Sequence, residues 1–128
     1  MKPDWNNFKL GRIKQGKLVG FDGEMLWNFD VTLAIFIRDG LTAYKESSHG
    51  VPGPIYDKYD IDKTLSQKEK DSKSIAEWHT ILNDIIAGFD AYINIGDSEG
   101  PCEERDAKNK AFKKGLKLLS EWWGSLWD

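Results

Sequence analysis

The chain has one cysteine, two histidines and four prolines in 128 residues. Its longest mainly apolar stretch, Val31 to Ile37, falls far short of the ~20 residues that a spanning helix needs. No membrane span is therefore expected. No apolar signal core follows Met1, so the expected location is the cytoplasm. Cys102, standing alone, excludes an internal disulfide framework and fits a reducing compartment. It sits beside Glu103 and Glu104, which blunt it as a nucleophile. His49 and His79 form no His-x-x-x-His pair, no cysteine pair accompanies them, and Asp84, five residues after His79, falls off that residue's helical face, so no metal site is expected. A phosphate-cradling glycine loop, a serine elbow and a dinucleotide fingerprint are also missing, and with them the usual marks of an enzyme or a cofactor.

What is present describes a soluble globular chain: 40% hydrophobic and 30% charged residues with a net charge of -3. The length suits one domain, residues 1–128, with one core. Charge is unevenly spread. Residues 1–20 carry Lys2, Lys9, Arg12, Lys14 and Lys17 against Asp4, the middle is acidic, and a second basic group (Lys108, Lys110, Lys113, Lys114 and Lys117) lies near the end. With no overall basic surplus and no reading element, specific nucleic-acid binding is not expected. The basic ends are expected to pair with the acidic middle.

Periodicity predicts an all-α fold: a small bundle of three long helices, a short N-terminal helix or hairpin, and one long central loop. The first helix is expected over Phe29 to Ser47, with Phe29, Leu33, Phe36, Ile37, Leu41 and Tyr44 on its inner face and Gly40 marking a close approach of another backbone. The second is expected to open at a capping box, Ser74-Ile75-Ala76-Glu77, to bury Trp78, Leu82, Ile85 and Phe89, and to stop near Asn94 to Gly96. The third follows Pro101 with Ala107, Ala111, Phe112, Gly115, Leu118, Leu119, Trp122, Trp123 and Leu126 on one side. Before them, Asp22 is placed to cap a short turn through Trp27. Residues 1–21 form a basic segment in which Trp5, Phe8, Leu10, Ile13 and Leu18 allow an amphipathic helix, while Gly11, Gly16 and Gly20 allow a hairpin. Residues 48–73, with Pro52 and Pro54, read as a loop whose first half is tied down by Ile55, Tyr56, Tyr59, Ile61 and Leu65.

Six tryptophans, six phenylalanines and four tyrosines are more aromatic surface than the core needs. Trp122, Trp123 and Trp127 cannot all be hidden by one helix face and are candidates for a subunit interface. Arg38 can fork to an anionic group. Lys45 and His49 follow it, and Tyr44, Tyr56 and Trp78 offer rings for stacking. These six residues are the candidate ligand site, under a loop closing from residues 48–65. Asp57, Asp60 and Asp62 lack the glycine turn and final glutamate of a calcium loop and read as a solvated surface.

The runs Leu26-Trp27-Asn28-Phe29-Asp30, Leu41-Thr42-Ala43-Tyr44-Lys45 and His49-Gly50-Val51-Pro52, followed by Glu77-Trp78-His79-Thr80-Ile81-Leu82 and Phe89, together resemble a group of small uncharacterised bacteriophage and prophage proteins. The resemblance implies a phage accessory protein acting inside an infected bacterium and carries no activity across. Joined to the aromatic excess, it leads to the expectation of a non-enzymatic, homo-oligomeric anti-defence binder that sequesters a small anionic nucleotide-like immune signal. The alternative is an inhibitor or regulator docking on a host protein through its tryptophans and basic last helix. A hydrolase of such a signal, using Asp30, Asp84 and His49, comes third.

Overall fold

The structure, a computed structural model, describes residues 13–21, 23–47, 50–95 and 102–127. Within them the chain is all-α apart from one hairpin: β1 (Ile13–Lys14), β2 (Lys17–Leu18), α1 (Gly23–Leu26), α2 (Phe29–Ser47), α3 (Gly53–Asp60), α4 (Gln67–Asn94) and α5 (Cys102–Trp122), closed by a 3-10 turn, Trp123–Ser125. No helix among the described residues is long and apolar enough to cross a membrane. The Asp22 cap, His49, Trp5, Phe8 and Leu10 lie outside the described residues.

Of the two N-terminal alternatives, residues 13–18 take the hairpin. Gln15 and Gly16 both have positive φ, 52° and 77°, the mirror-image turn whose twist matches a two-residue hairpin, and Ile13 pairs with Leu18 across it. Asn28, also at positive φ, separates α1 from α2, and its carbonyl accepts the first amides of α2, those of Val31 and Thr32.

The 28-residue α4 is the spine: α2, α3 and α5 all pack on it. Its buried stripe is Ser74, Trp78, Leu82, Ile85, Gly88, Phe89 and Ile93, with Leu82 and Ile85 fully enclosed. Each large side chain so buried contributes roughly 1.5–3 kcal/mol. Two expectations fail here. First, α4 opens two turns earlier than predicted. The cap is Ser66, whose Oγ accepts from the Glu69 amide at 3.2 Å while Glu69 Oε1 accepts from the Ser66 amide. The same serine-to-glutamate spacing at Ser74 lies inside the helix, where the buried Ser74 hydroxyl donates back to the Asp71 carbonyl. Second, residues 48–73 are not one long loop. The two prolines start a helix instead of forbidding one: Pro52 is the N-cap of α3, Pro54 stands in the first turn where no amide partner is needed, and the Pro52 carbonyl accepts from the amides of Ile55 and Tyr56.

The inner face of α2 agrees with the expected one only in its second half, where Leu41 is buried and Ile37 and Tyr44 pack against the core. Thr32, Ala34, Ile35 and Leu41 are buried, whereas Phe29, Leu33 and Phe36 are exposed. This helix has more apolar residues than one face can hold, so with Ala34, Ile35 and Leu41 turned to the core, Phe29, Leu33 and Phe36 are left outside. Gly40 has open space where a Cβ would stand, so it marks no close approach.

The close approach lies between α4 and α5. A Cβ on Gly88 would stand 2.6 Å from the Ala111 carbonyl oxygen and 3.0 Å from the Gly115 Cα, and one on Gly115 would stand 3.1 Å from the Gly88 Cα. Around this contact the rings interlock: Phe89 meets Phe112 edge-on at 5.5 Å, Tyr92 lies 4.5 Å from Phe112, and Trp78 lies 5.6 Å from Trp122. Gly88→Ala is expected to lower stability by about 1–3 kcal/mol, because overpacking against backbone outweighs the ~1 kcal/mol alanine gains in a helix. Gly40→Ala, with nothing to strike within its own chain, is expected to raise the stability of the dilute monomer by about 0.5–1 kcal/mol. Urea unfolding of both variants checks the opposite signs.

Candidate functional site

Three stretches far apart in sequence meet at one end of α2. Its last turns present Tyr44, the glycine-proline turn before α3 supplies Gly50 to Pro54, and the end of the described chain supplies Ser125 and Trp127. They enclose a cleft of about 320 Å³. The Tyr44 hydroxyl donates to the carbonyls of Ser125 and Trp127 at 3.5 and 3.3 Å, long bonds that a better donor can replace. Trp127 is 77% exposed, so most of its indole is free to take a ring against it. The cleft is thus walled by two aromatic side chains and two prolines, with backbone carbonyls as acceptors. A flat ligand carrying N–H donors suits that chemistry.

The six residues expected to form a ligand site are not gathered there. Tyr44 lines the cleft. Arg38 lies one to two turns earlier on α2 and is already engaged: its Nε donates to Asp39 and its Nη1 to Asp90, both at 2.9 Å. The hydrogen bond to Asp39, opposed by partial burial and helped by Asp90, holds the guanidinium pKa above its ordinary value. Lys45 donates to the Asn83 Oδ1 at 2.8 Å across to α4. Tyr56 faces a neighbouring hollow with Val51, Asp71, Ser74 and Ile75, where its hydroxyl accepts from Gln67 at 2.6 Å. Trp78 is only 1% exposed, so it is a core residue and not a stacking surface, and its indole N–H is buried with no hydrogen-bond partner among the described residues. His49 precedes Gly50 and lies outside the described residues.

The three C-terminal tryptophans also part company. Trp122 is half-buried against Trp78, Trp123 projects outward, and Trp127 walls the cleft. The acids proposed for hydrolysis are separated by their partners. Asp30 accepts a short hydrogen bond from Tyr92, which raises the phenol's pKa, whereas Asp84 faces Lys114 of α5 at 3.5 Å. Among the described residues no three histidine, cysteine, aspartate or glutamate side chains come together as a metal cage. Gly50 to Pro54 line the cleft and fall within the loop expected to close over the site, whereas Ser125, and Trp127 in this place, were not anticipated. The glycine-proline composition of the turn was the signal for the former.

Comparison of the chain with protein-family models, with curated proteins and with solved structures finds no match.

The wall formed by α3 is fastened to α4 by Glu77, which accepts from Lys58 Nζ at 2.6 Å and from the Tyr59 hydroxyl at 3.1 Å. The Lys58 hydrogen bond, opposed by desolvation and helped by Tyr59, holds the Glu77 carboxyl below the usual glutamate range. A carboxylate so depressed stabilises the fold above its unfolded pKa of about 4.3 and loses that contribution as pH falls through the lower folded value. The amides of α3 are accordingly expected to lose hydrogen-exchange protection between about pH 5 and 3 before the centre of α4 does. Glu77→Gln should remove most of this pH dependence, and an α3 whose protection tracks α4 throughout would contradict the assignment.

Proposed function

We propose that this chain is a non-enzymatic binding protein that captures the flat head of a small nucleotide-like molecule in the Tyr44–Trp127 cleft. This is the kind of sequestering role that fits a phage accessory protein facing a bacterial immune signal. The observation that carries it is the lining of the cleft: two rings and two prolines around carbonyl acceptors. Stacking a base on an aromatic side chain contributes roughly 1–3 kcal/mol, and the Ser125 and Trp127 carbonyls can take its N–H groups in place of the long bonds from Tyr44. Recognition then rests on the ring first and on charge second, since Arg38 is held by Asp39 and Asp90.

Contact with a host protein is the second function that an observation favours. Trp123 is 66% exposed just beyond the end of α5, which also exposes Leu116 two turns earlier.

Calorimetry with adenosine, cyclic dinucleotides and adenosine-diphosphate-ribose derivatives tests the first. Heat of binding is expected, with the affinity lowered about tenfold or more by Trp127→Ala, a substitution at a side chain too exposed to matter for folding. No heat across that panel, together with a host protein retained by the wild type and lost on Trp123→Ala, would replace capture of a small molecule by the second function.

A further inference from the structure

We propose that the outer face shared by α2 and α5 is the interface of a symmetric dimer of this chain. Both helices pack on α4, but among the described residues their backbones do not approach each other. Between them runs an apolar groove of about 270 Å³, lined by Phe36 and Gly40 of α2, Leu119 of α5, and Trp123 and Leu126 beyond it. The groove shares no lining residue with the Tyr44–Trp127 cleft, so the proposal does not depend on what that cleft holds.

The apolar face extends past the groove on both sides. On α2, Phe29, Leu33 and Phe36 recur every three or four residues and remain 39%, 47% and 49% exposed, and on α5 Leu116 and then Trp123 remain 48% and 66% exposed. At roughly 200 Å² for each fully exposed side chain, these five residues present on the order of 500 Å² of apolar surface. An interface of standard size covers roughly 800 Å² on each partner, of which about 65% is apolar in homodimers, again close to 500 Å². The face therefore has the apolar area that one half of a dimer needs.

Its shape and rim complement themselves. Nothing lies within 4 Å of where a Gly40 Cβ would stand, which leaves the α2 backbone bare as a hole, while Trp123 of the same face stands out as a knob. An isologous two-fold pairing seats each copy's knob in the other's hole. On the α2 side the exposed Asp39 is bridged to Arg38, which Asp90 also holds, so this cluster keeps one net negative charge, while the α5 side carries exposed Lys113 and Lys117; crossing α2 of one copy with α5 of the other brings opposite net charges together.

Sedimentation velocity and light scattering of the full chain over about two decades of concentration test the proposal. The expected result is a reversible dimer. Phe36→Lys and Trp123→Ala should each weaken it at least about tenfold while leaving the helical circular dichroism of the dilute protein unchanged. A monomer at every concentration would overturn the proposal, as would a dimer that both folded variants retain. It would equally fall if the chain were monomeric and a host protein occupied this face, losing its hold on Phe36→Lys.

Discussion

The contact between Gly88 and Gly115 is the constraint on which the rest of the fold depends. Two helices whose backbones touch must run past one another with no side chain between them. The large rings that flank the contact are then forced into fixed places, Phe89, Tyr92 and Phe112 toward one end and Trp78 and Trp122 toward the other. The buried indole N–H of Trp78 has no partner among the described residues, a cost of about 1–3 kcal/mol that burial of the ring offsets.

Because α4 takes α2, α3 and α5 onto itself, α2 and α5 are left without each other. The surplus apolar side chains of α2 have no inner face to occupy and come out beside Trp123, and the chain beyond α5 returns toward the end of α2, where Tyr44 meets Ser125 and Trp127. The two surfaces proposed to bind, the aromatic cleft and the apolar face, thus have the same origin. Both are edges of an arrangement in which one long helix is saturated and its neighbours are not.

Much of the fold was legible in the sequence where periodicity and a terminator agreed. The bounds of α2 and the start of α5 after Pro101 follow from apolar spacing ended or opened by glycine and proline. The start of α4 was not, because the serine-to-glutamate signature occurs twice and residues 67–73 are too polar to extend the apolar stripe back to the true cap at Ser66. Proline hid α3, since the same residue that breaks a helix interior can begin a helix. Glycine was the least readable: Gly40 and Gly88 look alike along their own helices, and only the neighbouring helix decides that one is bare and the other crowded. The candidate site suffered in the same way. Pairing of Arg38 with Asp90, 52 residues away, and burial of Trp78 are tertiary facts, as is the meeting of Tyr44 with Trp127.

The central claim is that α4 and α5 touch backbone to backbone at these two glycines, so that α5 is fixed on the spine while its outer face stays open. The most direct test is a nuclear Overhauser measurement between the α-protons of Gly88 and Gly115. The account predicts a strong cross-peak, accompanied by contacts between the Phe89 and Phe112 rings. Absence of that cross-peak in a protein whose two helices are otherwise fully formed would contradict it.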